Sequence, residues 1–263
     1  MGSVIREYEV ASRKHSDLEH SVDVQAIDAK LKADPYNGDL WMERGLALAK
    51  QSLYREATES YSKAIAIDPF KGIYYRHRAH RFLSCYRFED ACADFTMASR
   101  LVPLNWDVWY HLGLSWFLLG DYAQALVAYR RCMELSETED KTIAISDWLW
   151  ITLKRLGLED EAAKVLDGIT ENMDAGDNIA YYNRLLMYKG LRQPEDLLSA
   201  DGTAVNVITM GFGLANYFNV IGDHKRATEL LQEVIRQGDE NRIYYAFGYL
   251  AAMVDLENLC AKA

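Results

Sequence analysis

Three stretches decide the fold: DPYNGDLWMERG at residues 34–45, DPFKGIYYRHRA at 68–79 and VPLNWDVWYHLG at 102–113. They stand in one frame. Pro35, Pro69 and Pro103 are 34 residues apart, and so are Trp41, Tyr75 and Trp109. The step continues in Gly45, Ala79 and Gly113, in Ala57, Ala91 and Ala125, and in Tyr61, Phe95 and Tyr129. Five series in one frame are an internal repeat, and a period of this length means a stacked array of small units. Small residues mark where paired helices cross closest. Large aromatics fill the space between helices and between repeats. Each proline follows a second helix, where a missing N–H and a fixed φ stop it. Gly120-Asp121 provides a turn between two helices of one unit.

Period and residue types resemble the tetratricopeptide repeat family, tightly over residues 38–139 and loosely over most of the chain. The resemblance implies an all-α, right-handed solenoid of antiparallel helix pairs. Repeats are expected near 38–71, 72–105, 106–139, 142–175 and 208–241, with an irregular one at 177–205. Leu156-Gly157 and Ile221-Gly222-Asp223 mark later turns. Residues 179–198 have helical periodicity but no turn signature, and Gln193-Pro194 is expected to break them early. Trp150 stands where a small residue belongs. The expected organisation is an N-terminal cap over 1–37, three regular repeats over 38–139, three degenerate repeats over 140–241 and a C-terminal capping helix over 242–263. A cap is expected because an open stack exposes apolar surface. Residues 4–20 are read as part of a capping hairpin, with a tail folding into the groove as the alternative. The order of good, bulky and irregular repeats also resembles bacterial lipoproteins that act as adaptors of a tail-specific protease. The lipidated cysteine and export signal of those proteins are missing here, unless a signal was removed.

Composition narrows the function. The 263 residues carry 29 Lys plus Arg against 39 Asp plus Glu, a net charge of −10. Such a chain is a poor generic binder of nucleic acid or anionic lipid. No stretch has the ~20 apolar residues of a membrane helix. Arg6 stands where a myristoylation motif needs a hydroxyl. Cys85, Cys92, Cys132 and Cys260 lack metal or disulfide spacing and read as buried apolar residues in a reducing, cytoplasmic setting. Catalytic signatures such as G-x-S-x-G, H-E-x-x-H and the P-loop are missing. His77 and His80 are too few for a metal set, and Glu137-Thr138-Glu139-Asp140 reads as a solvated turn. No catalytic, cofactor or metal residues are therefore assigned.

What remains is surface. In the family, the first helix of each repeat lines a concave groove. Helical spacing places Met42, Leu46 and Lys50 there, then Arg76, His80 and Ser84, then Tyr110, Leu114 and Phe117. Asp147, Ile151 and Lys154 follow, then Tyr181, Leu185 and Tyr188, then Phe212, Asn216 and Asn219. The expected peptide-binding residues are Lys50, Arg76, His80, Arg81, Tyr110, Leu114, Phe117, Tyr181, Tyr188 and Phe212. They form a basic entry for a carboxylate and an apolar floor for a peptide or helix. Family members that clamp chaperone tails use Lys and Asn where this chain has Met42 and Leu46, so that activity is not carried over. The expectation is a non-enzymatic adaptor with a protein or peptide partner. The alternatives are a homodimer that buries the same surface and a regulatory subunit of an enzyme such as a protease.

Overall fold

A computed structural model describes residues 19–198 and 203–262, apart from the side chains of Leu198 and 260–262. Every regular element among them is helical. The chain divides into two compact units, Met1–Ser115 and Trp116–Ala263. The expected hairpin at 4–20 and the polar connection at 199–203 fall largely outside the described residues, as does the Cys260 side chain.

The first unit holds α1 (Val22–Ala33), α2 (Gly38–Lys50), α3 (Tyr54–Ile67), α4 (Gly72–Ser84), α5 (Phe88–Leu101) and most of α6 (Trp106–Leu118). Within each repeat a three-residue turn folds the second helix back on the first. Asn37 opens α2 by accepting from the amides of Asp39 and Leu40 at 3.1 and 3.2 Å, a strong N-cap. At Gly45 a β-carbon would run into the Tyr61 ring, so the glycine is required by the close crossing. Leu48, Ala57 and Tyr61 are buried behind that crossing, and Phe82, Ala91 and Phe95 are their counterparts one repeat on. Trp41, Tyr75 and Trp109 are half-buried rather than core. The indoles of Trp41 and Trp109 donate to the carbonyls of Pro35 and Pro103, both at 2.9 Å, and tie the turns down.

The turns follow the 34-residue frame in backbone rather than in residue type. Ser52 (φ 61°) and Tyr86 (φ 62°) are left-handed at the places where the third repeat has Gly120 (φ 78°). Non-glycine residues pay a steric cost there, and packing of the flanking helices holds them to it.

The second unit begins with the end of α6, where Phe117 meets the edge of Trp148 at 5.2 Å. The division falls inside the third repeat. Then come α7 (Tyr122–Glu134), α8 (Glu139–Arg155), α9 (Glu159–Asp167), a 3₁₀ turn (Gly176–Asn178), α10 (Ile179–Tyr188), α11 (Pro194–Leu198), α12 (Ala204–Val220), α13 (His224–Asn241) and α14 (Phe247–Lys262). Left-handed glycines punctuate it at 120, 157, 190 and 222, at steps of 37, 33 and 32. Gly190 corrects the expectation that residues 179–198 lack a turn. Pro194 opens a helix rather than breaking one, as its fixed φ permits at a first helical position. That helix has only five residues, so this repeat has no full second helix. The C-terminal helix starts at Phe247 rather than 242, because Arg242 (φ 56°) closes α13 in a left-handed cap. Trp150 finds room by facing α10, where its ring stacks on Tyr188 at 3.8 Å. Cys85, Cys92 and Cys132 are buried.

Candidate functional site

The basic run on α4 is neither a solvated face nor an open anion site. Arg76 makes a two-point contact with Asp107, Nε to Oδ2 at 2.6 Å and Nη2 to Oδ1 at 2.9 Å. His111 lies on the same carboxylate at 3.4 Å, and its Nδ1–H donates to the Asp107 carbonyl at 2.8 Å. Burial pushes the Asp107 carboxyl up, but His111 and Arg76 outweigh it and hold the group well below the usual carboxylate range. His77 accepts from Arg76 and stacks on Tyr61 at 5.7 Å. Burial first, then Arg76, lowers its pKa to about 4. His80 sits 4.7 Å from the His111 ring and is likewise held well below its ordinary value by burial. Both imidazoles are neutral at pH 7. Arg78 is committed to Asp94 at 2.6 and 2.8 Å and to Ser62 at 3.0 Å. Arg81 differs. Its guanidinium lies over Tyr54 at 5.1 Å, bonds to His80, and joins no carboxylate among the described residues.

The expected apolar floor is corrected. Tyr110, Leu114, Phe117 and Phe212 are buried, at 5, 0, 2 and 0 % exposure, and present no open surface. Tyr110 stacks on Trp106 at 4.9 Å. Phe212 lies 5.8 Å from Trp148 and under the Arg184 guanidinium. Tyr181 and Tyr188 are half-buried, and both are occupied by Arg184, over the Tyr181 ring and 3.3 Å from the Tyr188 hydroxyl. Helical phase alone put these residues on an outer face; in the second unit α10 packs on both α8 and α12, and in the first Tyr110 is covered by Trp106 and His111. Of the ten expected residues, Lys50 is exposed and Arg81 half-buried without a carboxylate, and the flanking Met42 and Leu46 are half-buried.

Sequence reasoning passed over three polar constellations. Arg44 and Arg78 are 34 apart, and each pegs its own repeat to the helix before it. Arg44 reaches Asp28 at 2.6 Å and Ser60 at 2.9 Å, and Arg78 reaches Asp94 and Ser62. The acid and the serine exchange places between the two, and the common period would have revealed this. Inside the second unit Asp147 and Arg184 form an ion pair at 2.7 Å with both side chains sealed from solvent. Burial pushes Asp147 up to about 7 against the pull of Arg184. Gly213 leaves the space that Arg184 fills. Arg155 grips Asp255 at 2.8 and 2.6 Å and Asn216 at 2.7 Å, joining α8, α12 and α14. No residue spacing announces pairs 37 or 100 positions apart.

Beside Arg155 a cleft of about 300 Å³ is lined by Tyr122, Asn219, His224 and Thr228. Its one guanidinium is spent on Asp255, so the cleft has no unpaired charge from that side. Among the described residues no group of three His, Cys, Asp or Glu could hold a metal ion, and no helix is long and apolar enough to cross a membrane.

Residues 24–71 and 106–139 each match a tetratricopeptide repeat family model. The heat-shock protein cognate (HSC) co-chaperone sgt12 of Aspergillus fumigatus is 27% identical over 187 residues, covering 67% of this chain and 54% of that protein. The small glutamine-rich tetratricopeptide repeat-containing protein 2 of Saccharomyces cerevisiae is 29% identical over 125 residues, covering 47% of this chain and 35% of that one. The chain thus spans about half or less of the length of these curated relatives. Both are fungal, and neither is a protease-adaptor lipoprotein, the bacterial likeness drawn from the repeat order. Among solved structures, that of YrrB, a TPR protein with an unusual peptide-binding site, superposes with a TM-score of 0.53 at 21% identity over 78% of this chain and 97% of that one. That likeness is one of fold.

Proposed function

The chain is built of tetratricopeptide repeats, and from that premise we propose that it is a non-enzymatic adaptor of cytoplasmic protein complexes. The repeats of the first unit provide the docking platform. The partner is a peptide or helical segment received on the first-helix face of the first unit. The observation that carries this reading is Arg81, a half-buried cation with no carboxylate partner among the described residues, on the helix next to exposed Lys50 and half-buried Met42 and Leu46. A side-chain carboxylate of the partner would complete it.

The description of the Aspergillus fumigatus relative as a co-chaperone supports an adaptor role. The chemistry of the face argues against anchoring of an acidic chaperone tail in the clamp manner. Met42 and Leu46 offer no charge, and Arg76 is already neutralised by Asp107. The test is affinity capture from the native host, with captured proteins quantified for the wild type and for Lys50→Glu with Arg81→Glu. Loss of a defined set of partners, and weaker capture as salt rises, is the expected result. Capture of the same set at the same yield by both proteins would overturn the groove reading. Light scattering on the same samples separates self-association, in which the surface buries itself.

A further inference from the structure

Three of the most exposed apolar side chains in the first unit are not scattered. Tyr36, Phe70 and Leu104 are 82, 81 and 74 % exposed, and they are 34 residues apart, each directly after a repeat's proline. At that place a turn is served as well or better by Asn, Asp or Gly. With so little of each side chain covered, core packing gives no reason for an apolar residue three times over. Single exposed apolar residues need no explanation, but a periodic series does.

The turns that carry them are held side by side. Lys71 and Tyr74, at the start of α4, both reach Asp39 at the start of α2, at 2.6 and 2.8 Å. Arg76 ties α4 to the start of α6 through Asp107. Each turn is also fixed internally. Asp34 accepts from the Asn37 amide at 3.0 Å, and Asp68 from the Phe70 backbone N–H at 3.1 Å. The three side chains are therefore presented by a preformed scaffold, which keeps the ordering cost of binding small. Neither Asp34 nor Asp68 pairs with a cation among the described residues, so two aromatic rings stand beside two unneutralised carboxylates.

We propose that the turn edge formed by Tyr36, Phe70 and Leu104 is a second docking surface, and that it takes a basic amphipathic helix of a partner protein. Neighbouring packed helices are about 10 Å apart, which sets the step between successive turns. Seven residues of an α-helix rise about 10.5 Å. Apolar residues at i, i+7 and i+14 of one helix therefore meet the three side chains in turn. Lys or Arg beside them meets Asp34 and Asp68 and packs on the exposed rings. This surface is separate from the first-helix face and goes beyond the reading given for it.

The probes are synthetic peptides of about 21 residues, read by fluorescence anisotropy against the full chain. One carries Leu at a seven-residue spacing with flanking Lys. A second has the same composition with the leucines moved off that spacing. A third replaces Lys by Glu. The first is expected to bind at least tenfold more tightly than the other two. Tyr36→Ser with Phe70→Ser should remove that advantage, with the helical circular dichroism unchanged because both side chains are exposed. Lys50→Glu with Arg81→Glu should leave it intact, which keeps this test apart from that of the groove. Equal affinity for the first two peptides, or full binding by the Tyr36 and Phe70 variant, overturns the proposal. So does concentration-dependent dimerisation abolished by that variant, which would make a second copy of the chain the occupant.

Discussion

The two units use the same helix pair and arrive at different interiors. In the first, the full-length second helices α3 and α5 back α2 and α4, and the first-helix face keeps half-buried Met42, Leu46, Arg76 and Arg81. In the second, α11 has five residues, and the side chains that would line a groove are buried instead. Asp147, Leu185 and Phe212 are sealed, and Trp148 and Arg184 fill the space between them. A concave surface is thus not a property of the first helix. Which first-helix side chains stay open depends on what packs across them: Phe117 is covered by Trp148, and Phe212 by Trp148 and Arg184. The polar groups follow suit. Arg76 and Asp107 remain partly solvated, whereas Asp147 and Arg184 are cut off from water.

The largest expected effect separates these two ion pairs. Arg184→Met leaves Asp147 buried without its cation and should cost the second unit about 3–5 kcal/mol. Arg76→Met should cost about 1 kcal/mol, since Asp107 keeps His111 and some water. Urea denaturation, with hydrogen exchange read helix by helix, distinguishes the units. Similar losses from both variants would erase the contrast. Combining Arg184→Met with Asp147→Leu should recover most of the loss, because a buried pair replaced by apolar groups leaves no orphaned charge.

Close crossings come next. Gly45→Ala drives a methyl into the Tyr61 ring, and Gly213→Ala drives one into the Arg184 stem. Each should cost about 1–3 kcal/mol by overpacking, confined to its own unit. A loss below about 0.5 kcal/mol at either site would mean that the crossing is looser than described.

The units should also respond oppositely to pH. His77 is lowered to about 4 from 6.5, so the unfolded chain binds more protons between those values. The first unit therefore loses stability as pH falls from about 6.5 to about 4, and the lowered His80 acts in the same direction. Asp147 is raised to about 7 from 3.8, so the folded state holds the extra proton. Its contribution is fully present below about 3.8 and is lost as pH rises toward about 7. Between about pH 4 and 6.5 the slopes have opposite sign. Asp147→Asn should flatten the trend of the second unit alone; parallel slopes in the wild type would refute the assignment.

The smallest effects test the turns. Ser52→Gly should stabilise the first unit by roughly 1 kcal/mol, and Gly157→Ala should cost the second about as much. Nothing lies within 4 Å of a β-carbon at Gly157, so the change isolates backbone strain. Opposite signs in thermal melts are the expected result.

The sequence by itself determined the repeat. Prolines, small residues and aromatics at a 34-residue step fixed an all-α stack and located α2 to α7, because each of those positions answers to local geometry. The same frame held Arg44 and Arg78, and Ser52 and Tyr86, in legible form, though their residue types hid them. Tertiary structure alone decided which helical faces stay open. Tyr110, Phe117 and Phe212 have the phase of surface residues, and Arg76 has the look of a free cation. The pairing of Arg76 and the burial of Phe117 and Phe212 depend on partners 28 to 64 positions away: Asp107 for Arg76, Trp148 for Phe117, and Trp148 and Arg184 for Phe212. Periodicity reports the direction in which a side chain leaves its own helix. Whether another helix stands there is decided by long-range packing, as where Trp148 of α8 meets Phe117 of α6 and Phe212 of α12.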